Sequence, residues 1–162
     1  MSQGRKMLTK NAPQLVRDFH REYSLHFRSI ICGSVRRDTL WCNDIDLVLV
    51  VPLFKRRGLE EDMKRIWGIQ KTQDKPLMRG DFRGIAFDLH LTPEHMLGAM
   101  LLHATGPWTF NKKLRMIAKQ KGLKLNQYGL WKGERCIASE TEEEILHHLG
   151  QKFIEPRVRS IW

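Results

Sequence analysis

Apolar residues change period along this chain, and each change marks an element. Over residues 12–27, Ala12, Leu15, Val16, Phe19 and Tyr23 recur at helical spacing while Arg17, Asp18, Arg21 and Glu22 take the remaining surface, which predicts a packing helix. Residues 28–32 predict a short strand running into a Gly33-Ser34 turn. From Asp44 to Val51 the period becomes two. Ile45, Leu47, Leu49 and Val51 share one face, Asp44, Asp46, Val48 and Val50 the other, and Pro52 ends the strand. Phe54-Lys55-Arg56-Arg57-Gly58 reads as a basic loop ahead of a helix carrying Leu59, Met63, Ile66 and Trp67, and residues 68–80 as one strand and a turn. A further strand sets Ile85, Phe87, Leu89 and Leu91 against Ala86, Asp88 and His90.

In the second half, Thr92-Pro93-Glu94 predicts a helix start with a capping hydroxyl, Pro at the first position and an acid in the first turn. That helix runs to about His103. Thr105-Gly106-Pro107 interrupts it, and a second helix follows to Lys121, closed by Gly122. Phe110, Leu114, Ile117 and Ala118 form its core stripe, whereas Asn111, Lys112, Arg115 and Lys119 face away, as solvated surface or as donors to bases in a groove. A small sheet over 123–125, 128–132 and 135–137 comes next. Thr141-Glu142-Glu143-Glu144 is a capping box opening a helix that Gly150 closes, and residues 153–159 read as an extended basic tail.

Charge narrows the partners. The 28 Lys and Arg against 18 Asp and Glu give a net charge of +10 on 162 residues, which favours polyanions, nucleic acid ahead of an anionic membrane surface. The length suits one domain or one domain with a small appendage. Cys32, Cys42 and Cys136 have no paired spacing, so neither a zinc site nor a disulfide framework is indicated, and a reducing compartment fits. No signal peptide and no run of about 18 apolar residues occurs, so a soluble, intracellular protein without a membrane partner is expected.

The candidate chemistry lies on the strands. Asp44 and Asp46 leave one strand side by side, and carboxylates so placed repel unless a cation lies between them; a hard, oxygen-seeking ion such as Mg2+ suits them. Asp88 is a third strand carboxylate. Gly33-Ser34 with Arg36 and Arg37 offers backbone N–H groups, a hydroxyl and guanidinium forks to phosphate. Of the seven histidines, His90 shares a face with Asp88, His147 and His148 fall on the capped helix, and none belongs to a metal-ligand pattern. Phosphate cradle and acidic face together suggest nucleotide chemistry.

In order, Gly33-Ser34-Val35-Arg36-Arg37, Asp44-Ile45-Asp46, Phe87-Asp88-Leu89, His103-Ala104-Thr105-Gly106-Pro107, Phe110-Asn111, Leu114-Arg115, Lys121-Gly122, Leu125-Asn126-Gln127-Tyr128-Gly129-Leu130 and Glu155-Pro156-Arg157 resemble the family X DNA polymerases of the nucleotidyltransferase superfamily, and their compact viral members in particular. The resemblance implies an α+β fold: a nucleotidyltransferase palm of mixed β-sheet with packed helices over 1–106, and a small C-terminal α/β subdomain over 107–162 that holds the nascent base pair. It implies repair-type, template-directed addition of a deoxynucleotide from a dNTP to a primer 3'-hydroxyl, as in short-gap filling, with release of pyrophosphate.

Carried over residue by residue, Asp44 and Asp46 would bind both of two Mg2+ ions, for which Mn2+ could substitute, and Asp88 the ion that activates the hydroxyl. Gly33, Ser34 and Arg37 would hold triphosphate oxygens, and His103, Thr105, Gly106, Trp108 and Asn111 would line the incoming nucleotide. Lys112, Arg115, Asn126, Tyr128 and Arg157 would meet DNA. His103 is read near the incoming sugar or as a plain helix-end histidine, and Trp108 as a stacking ring or as surface packing. Ala104 stands where the family usually has an aromatic residue beside the sugar, so exclusion of ribonucleotides is not implied, and Asn43 replaces a common glycine. About 30 residues precede Gly33, so no N-terminal lyase domain is expected. A monomer acting on gapped or primer-template duplex with a DNA ligase as partner completes the expectation. The alternatives are a template-independent terminal transferase and a non-catalytic nucleic-acid-binding module; template dependence and catalysis itself separate them.

Overall fold

The computed structural model describes residues 6–67 and 77–162. Its centre is a four-stranded sheet made of β2 (Ser29–Ile31), β4 (Asp44–Val50), β6 (Ile85–Thr92) and β5 (Leu77–Phe82) in that order, after a two-residue ladder between β1 (Met7–Leu8) and β3 (Trp41–Cys42). The central pair β4 and β6 runs parallel and both outer pairs run antiparallel, so the sheet is mixed. Residues 68–76, where part of a strand and turn was expected, lie outside the described residues.

Alternation along β4 sends two sets of side chains to two separate cores. Ile45, Leu47 and Leu49 join Phe87, Leu89 and Leu91 of β6 beneath α1 (Ala12–Glu22) and α3 (Leu53–Trp67), with Phe19 stacked on Phe87 at 4.7 Å between ring centres. On the opposite face Val48 packs with Cys32 and with Leu97, Met100 and Ala104 of α4 (Leu97–Thr105). That helix covers the Val48 end of the face and leaves the Asp44 end for chemistry. Burial pushes the Cys32 thiol up to about 12, which makes it an inert core group.

The third core gathers Phe110, Leu114 and Ala118 of α5 (Trp108–Gln120), Leu130 and Ala138 of the antiparallel sheet β7 (Lys124–Asn126), β8 (Gly129–Lys132) and β9 (Arg135–Ala138), and Ile145, Leu146 and Leu149 in and beside α6 (Glu142–His148). Ala99 and Leu102 of α4 complete it. One helix thus carries a residue set for each of two cores and ties them together. Gly98 permits that: a Cβ there would stand 2.3–2.4 Å from the backbone of Thr141.

Several local expectations are corrected. The first helix stops at Glu22 rather than near residue 27, because Ser24 takes φ 51° and His20 fastens the returning chain through Leu25 O and Ser29 Oγ, each at 2.9 Å. The basic run 54–58 is not a loop. It lies inside α3, where Arg56 and Arg57 donate to Glu60 and Glu61 one turn on, so opposite charges at i,i+4 keep the run helical. Thr92 caps no helix; it ends β6 and donates to Pro93 O, and a 3-10 turn, Glu94–Met96, opens α4. At Thr141 only half the box closes, since Glu144 N donates to Thr141 Oγ1 while Glu144 accepts from Ser139 N and Glu140 N. The C-terminal tail is not extended: it makes a 3-10 turn, Pro156–Val158, and buries Arg159.

Candidate active site

The register of β4 on β6 builds the site. Asp46 and Asp88 are paired across the two parallel strands, so their side chains leave the sheet on the same face, and Asp44 follows two residues earlier on that face, beside Ala86. Asp88 is buried and the other two are half-buried. Burial raises the Asp44 carboxyl above its ordinary value, and the charges of Asp46 and Asp88 raise it further against the lowering effect of Arg79. An acidic face in that state calls for positive charge.

Part of that charge comes from the protein. Arg79, directly opposite Asp88 on the antiparallel neighbour β5, donates from Nε and Nη2 to the two Asp88 oxygens, at 2.9 Å each for its shorter contacts. His90 Nε2 lies 3.2 Å from Asp46 Oδ1. Among the described residues no three His, Cys, Asp or Glu side chains close on a common point as a ready metal cage. The donor set nevertheless fits a hard divalent cation. All three groups are carboxylates on one face, and Asp44 is raised first by burial and then by the Asp46 and Asp88 charges.

Beside the carboxylates stands the turn expected to meet phosphate, and it proves to be one turn of helix, α2 (Gly33–Arg36). Gly33 has φ 58° and lies so close to Asp46 that a Cβ would come 1.9 Å from Asp46 Oδ2; both conformation and space demand glycine. Ser34 Oγ and Arg37 Nε are buried and have no hydrogen-bond partner, while an Arg37 Nη donates to Thr105 O. Burial lowers the Arg37 pKa, and Asp46 and Asp44 counter it. Arg36 does not face phosphate as the sequence suggested. It forks onto Glu142 at 3.0 and 2.5 Å and donates to Thr105 Oγ1 at 2.7 Å, which makes it the tie between α2 and α6.

The residues expected to face the nucleotide are grouped around the start of α5. Gly106, at φ 60° with a cis bond to Pro107, leads into Trp108, which is 67% exposed and has Lys112 Nζ 4.9 Å above its ring. Asn111 is corrected from an outward position: it is buried, and its amide donates to His103 O at 2.9 Å. Arg115 is exposed and reaches His103 Nδ1 at 3.4 Å. His103, Asn111, Arg115, Leu125 and Asn126 line a small cleft. Asn126 Oδ1 accepts from Tyr128 N, Gly129 N and Trp131 Nε1, so that oxygen shapes the β7–β8 turn. Tyr128 is half-buried and Arg157 exposed. Ala104 is buried against Cys32 and Val48, which leaves His103 as the member of that pair nearer the cleft. Arg79 and the Arg36–Glu142 tie escaped the sequence reading, because both depend on strand register and helix placement.

Residues 100–160 match the DNA polymerase beta thumb family. The chain is 29% identical over 142 residues to the repair DNA polymerase X of a South African tick isolate of African swine fever virus, covering 80% of each chain. Against that of a Kenyan pig isolate it is 26% identical over a 173-residue alignment covering 98% of each. A 65-residue stretch is 40% identical to DNA polymerase IV of Saccharomyces cerevisiae, covering 40% of this chain and 11% of that protein. No helix among the described residues is long and apolar enough to cross a membrane. With a mixed sheet carrying three carboxylates in register and a thumb-like segment packed beside it, the chain is similar to the DNA polymerases of family X, and to their compact viral members in particular.

Proposed function

We propose that this polymerase fills short gaps in DNA, adding a deoxynucleotide from a dNTP to a primer 3'-hydroxyl under direction of a template. The observation that carries the reading is the juxtaposition of the acidic face Asp44, Asp46 and Asp88 with a buried, unpartnered Ser34 Oγ and Arg37 Nε. Buried polar atoms without partners are rare in folded proteins and mark a place where a ligand completes the bonding. Ser34 and Arg37 would take triphosphate oxygens there, with Gly33 keeping the backbone close enough to Asp46 for phosphate and carboxylates to share one pocket.

Asp44 and Asp46 would hold two Mg2+ ions, or Mn2+ in their place, and Asp88 one of them; the ions supply activation of the 3'-hydroxyl and neutralisation of the triphosphate. The remaining work belongs to positioning. Asn111, fixed by His103 O, and Arg115 would present donors to the minor-groove edge of the new pair, with Thr105 and Gly106 shaping the floor beside them. Trp108 would stack on the incoming base with Lys112 toward the template, and Tyr128 and Arg157 would meet the DNA backbone. A palm over 1–106 and a base-pair-holding subdomain over 107–162 describe this division, with α4 serving both. The protein would act as a monomer in an intracellular compartment, handing nicks to a DNA ligase.

Extension of a labelled primer across a one-nucleotide gap, read opposite each of four templating bases, tests the proposal. Template-matched addition supports it. Addition indifferent to template assigns the site to a terminal transferase, and tight DNA binding without addition under Mg2+ or Mn2+ assigns it to a binding module.

A further inference from the structure

Arg79 occupies both oxygens of Asp88, the carboxylate that the proposal assigns to the ion activating the 3'-hydroxyl. Its Nε lies 2.9 Å from Asp88 Oδ1 and its Nη2 2.9 Å from Oδ2, a bidentate fork that leaves neither oxygen without a cationic donor. The two residues face each other across the β5–β6 ladder, so the contact is set by the sheet. Asp88 is buried, whereas the Arg79 side chain is 65% exposed at the rim of the acidic face. The carboxylate therefore cannot move away from the fork, but the guanidinium can leave the carboxylate.

From this geometry, and resting on the metal reading above, we infer that Arg79 is a positioning residue that stands in for the missing cation at Asp88 and is displaced when DNA and metal arrive. A guanidinium and a divalent ion compete for the same oxygens and repel each other, so inner-sphere coordination by Asp88 requires Arg79 to swing outward. Its exposed stem takes the charge toward the rim, where a primer-strand phosphate offers the same bidentate partner that Asp88 gave up. DNA that draws Arg79 off thus frees Asp88, and metal and DNA binding assist each other by the same factor. Without DNA the fork keeps the acidic face neutralised in part. The free enzyme is thereby a weaker metal binder than its three carboxylates alone would make it.

The test is a Mn2+ titration followed by the electron paramagnetic resonance signal of the free ion, with no nucleotide, in the absence and presence of a gapped duplex. Four proteins are compared: the unaltered chain, Arg79→Gln, Arg79→Lys and Asp88→Asn. DNA should tighten Mn2+ binding to the unaltered chain by roughly five-fold or more, the lower end of ordinary site coupling. Arg79→Gln should bind Mn2+ about that much more tightly without DNA and gain little when DNA is added. Arg79→Lys, which keeps the charge but not the fork, should fall between them. Equal Mn2+ affinity in Arg79→Gln and the unaltered chain, with Asp88→Asn weaker than both, overturns the inference and leaves the metal assignment standing. If Asp88→Asn binds Mn2+ like the unaltered chain with the gapped duplex present, where Arg79 has left the carboxylate, the metal assignment fails and takes the inference with it.

Discussion

Arg36 and Glu142, 106 positions apart, share two hydrogen bonds at 3.0 and 2.5 Å, and the buried Arg159 donates to the same carboxylate at 2.9 Å. One carboxylate thus joins the turn beside the acidic face to α6 and to the C-terminal segment. Removing the shared partner would leave two guanidinium groups without their common carboxylate, a change that costs about 3–5 kcal/mol when a buried pair is broken. Glu142→Gln is expected to lower stability by that order in urea unfolding. Arg36→Met with Glu142→Leu and Arg159→Met should recover most of it, since replacing a whole buried ionic group by apolar side chains is often neutral.

Ser34 should behave in the opposite way. Its hydroxyl is buried without a partner, so the folded protein gains nothing from it. Ser34→Ala is expected to leave stability unchanged or raise it by up to about 1–3 kcal/mol, since an unpartnered buried hydroxyl carries a desolvation cost. The apparent dNTP affinity in single-turnover extension should fall about ten-fold, in line with a lost hydrogen bond to a charged group of ~1.5 kcal/mol. An unchanged affinity would remove Ser34 from the phosphate cradle.

Asp44 gives a pH prediction with a definite sign. Its carboxyl is raised by burial and then by Asp46 and Asp88, so the folded chain holds that proton more tightly than the unfolded chain does. A raised carboxyl contributes stability that is present below the ordinary value of 3.8 and is lost as pH rises through the folded value. In metal-free buffer, Asp44→Asn should therefore melt above the unaltered protein at neutral pH, and the gap should close as pH falls toward 3.8. Mg2+ should raise the melting temperature of the unaltered protein at neutral pH by more than that of the variant, which keeps only Asp46 and Asp88 as ligands. A variant that melts lower at every pH would show that Asp44 is not under repulsion.

The strands were legible because their chemistry follows the period-two pattern. Asp44, Asp46 and Asp88 could be assigned to faces from alternation alone, and the fold confirms both faces. The register was not legible. That Asp46 lies opposite Asp88, and Arg79 opposite Asp88 again, depends on how β4, β6 and β5 slide past one another, and no residue announces it. Helix faces failed where a polar side chain found a backbone partner: Asn111 lay on the polar stripe by spacing, yet its amide satisfies His103 O and the side chain is buried. Arg36 and Arg37 looked alike as neighbours, but only the placement of α6 separates the arginine that ties Glu142 from the one whose Nε has no partner. Charge runs also misled at 54–58, where the matching acids stand one turn later.

Trp108 offers a test with little structural interference. It is two-thirds exposed and packs chiefly under the Lys112 ammonium, so Trp108→Ala should leave stability nearly unchanged. Base–aromatic stacking is worth ~1–3 kcal/mol per base, which sets an expected loss of about ten-fold or more in apparent dNTP affinity. Trp108→Phe should restore part of it. Equal affinity in all three proteins would return Trp108 to ordinary surface.

The most direct test compares the intact protein with Asp88→Asn and Asp46→Asn in one-nucleotide gap extension under Mg2+, opposite all four templating bases. Template-matched addition by the intact protein, lost by about 1,000-fold or more in each variant while gapped-duplex binding persists, is the expected result for residues at the reacting atoms. Addition that survives in either variant, or that ignores the template in the intact protein, would contradict the assignment of this acidic face to templated nucleotide transfer.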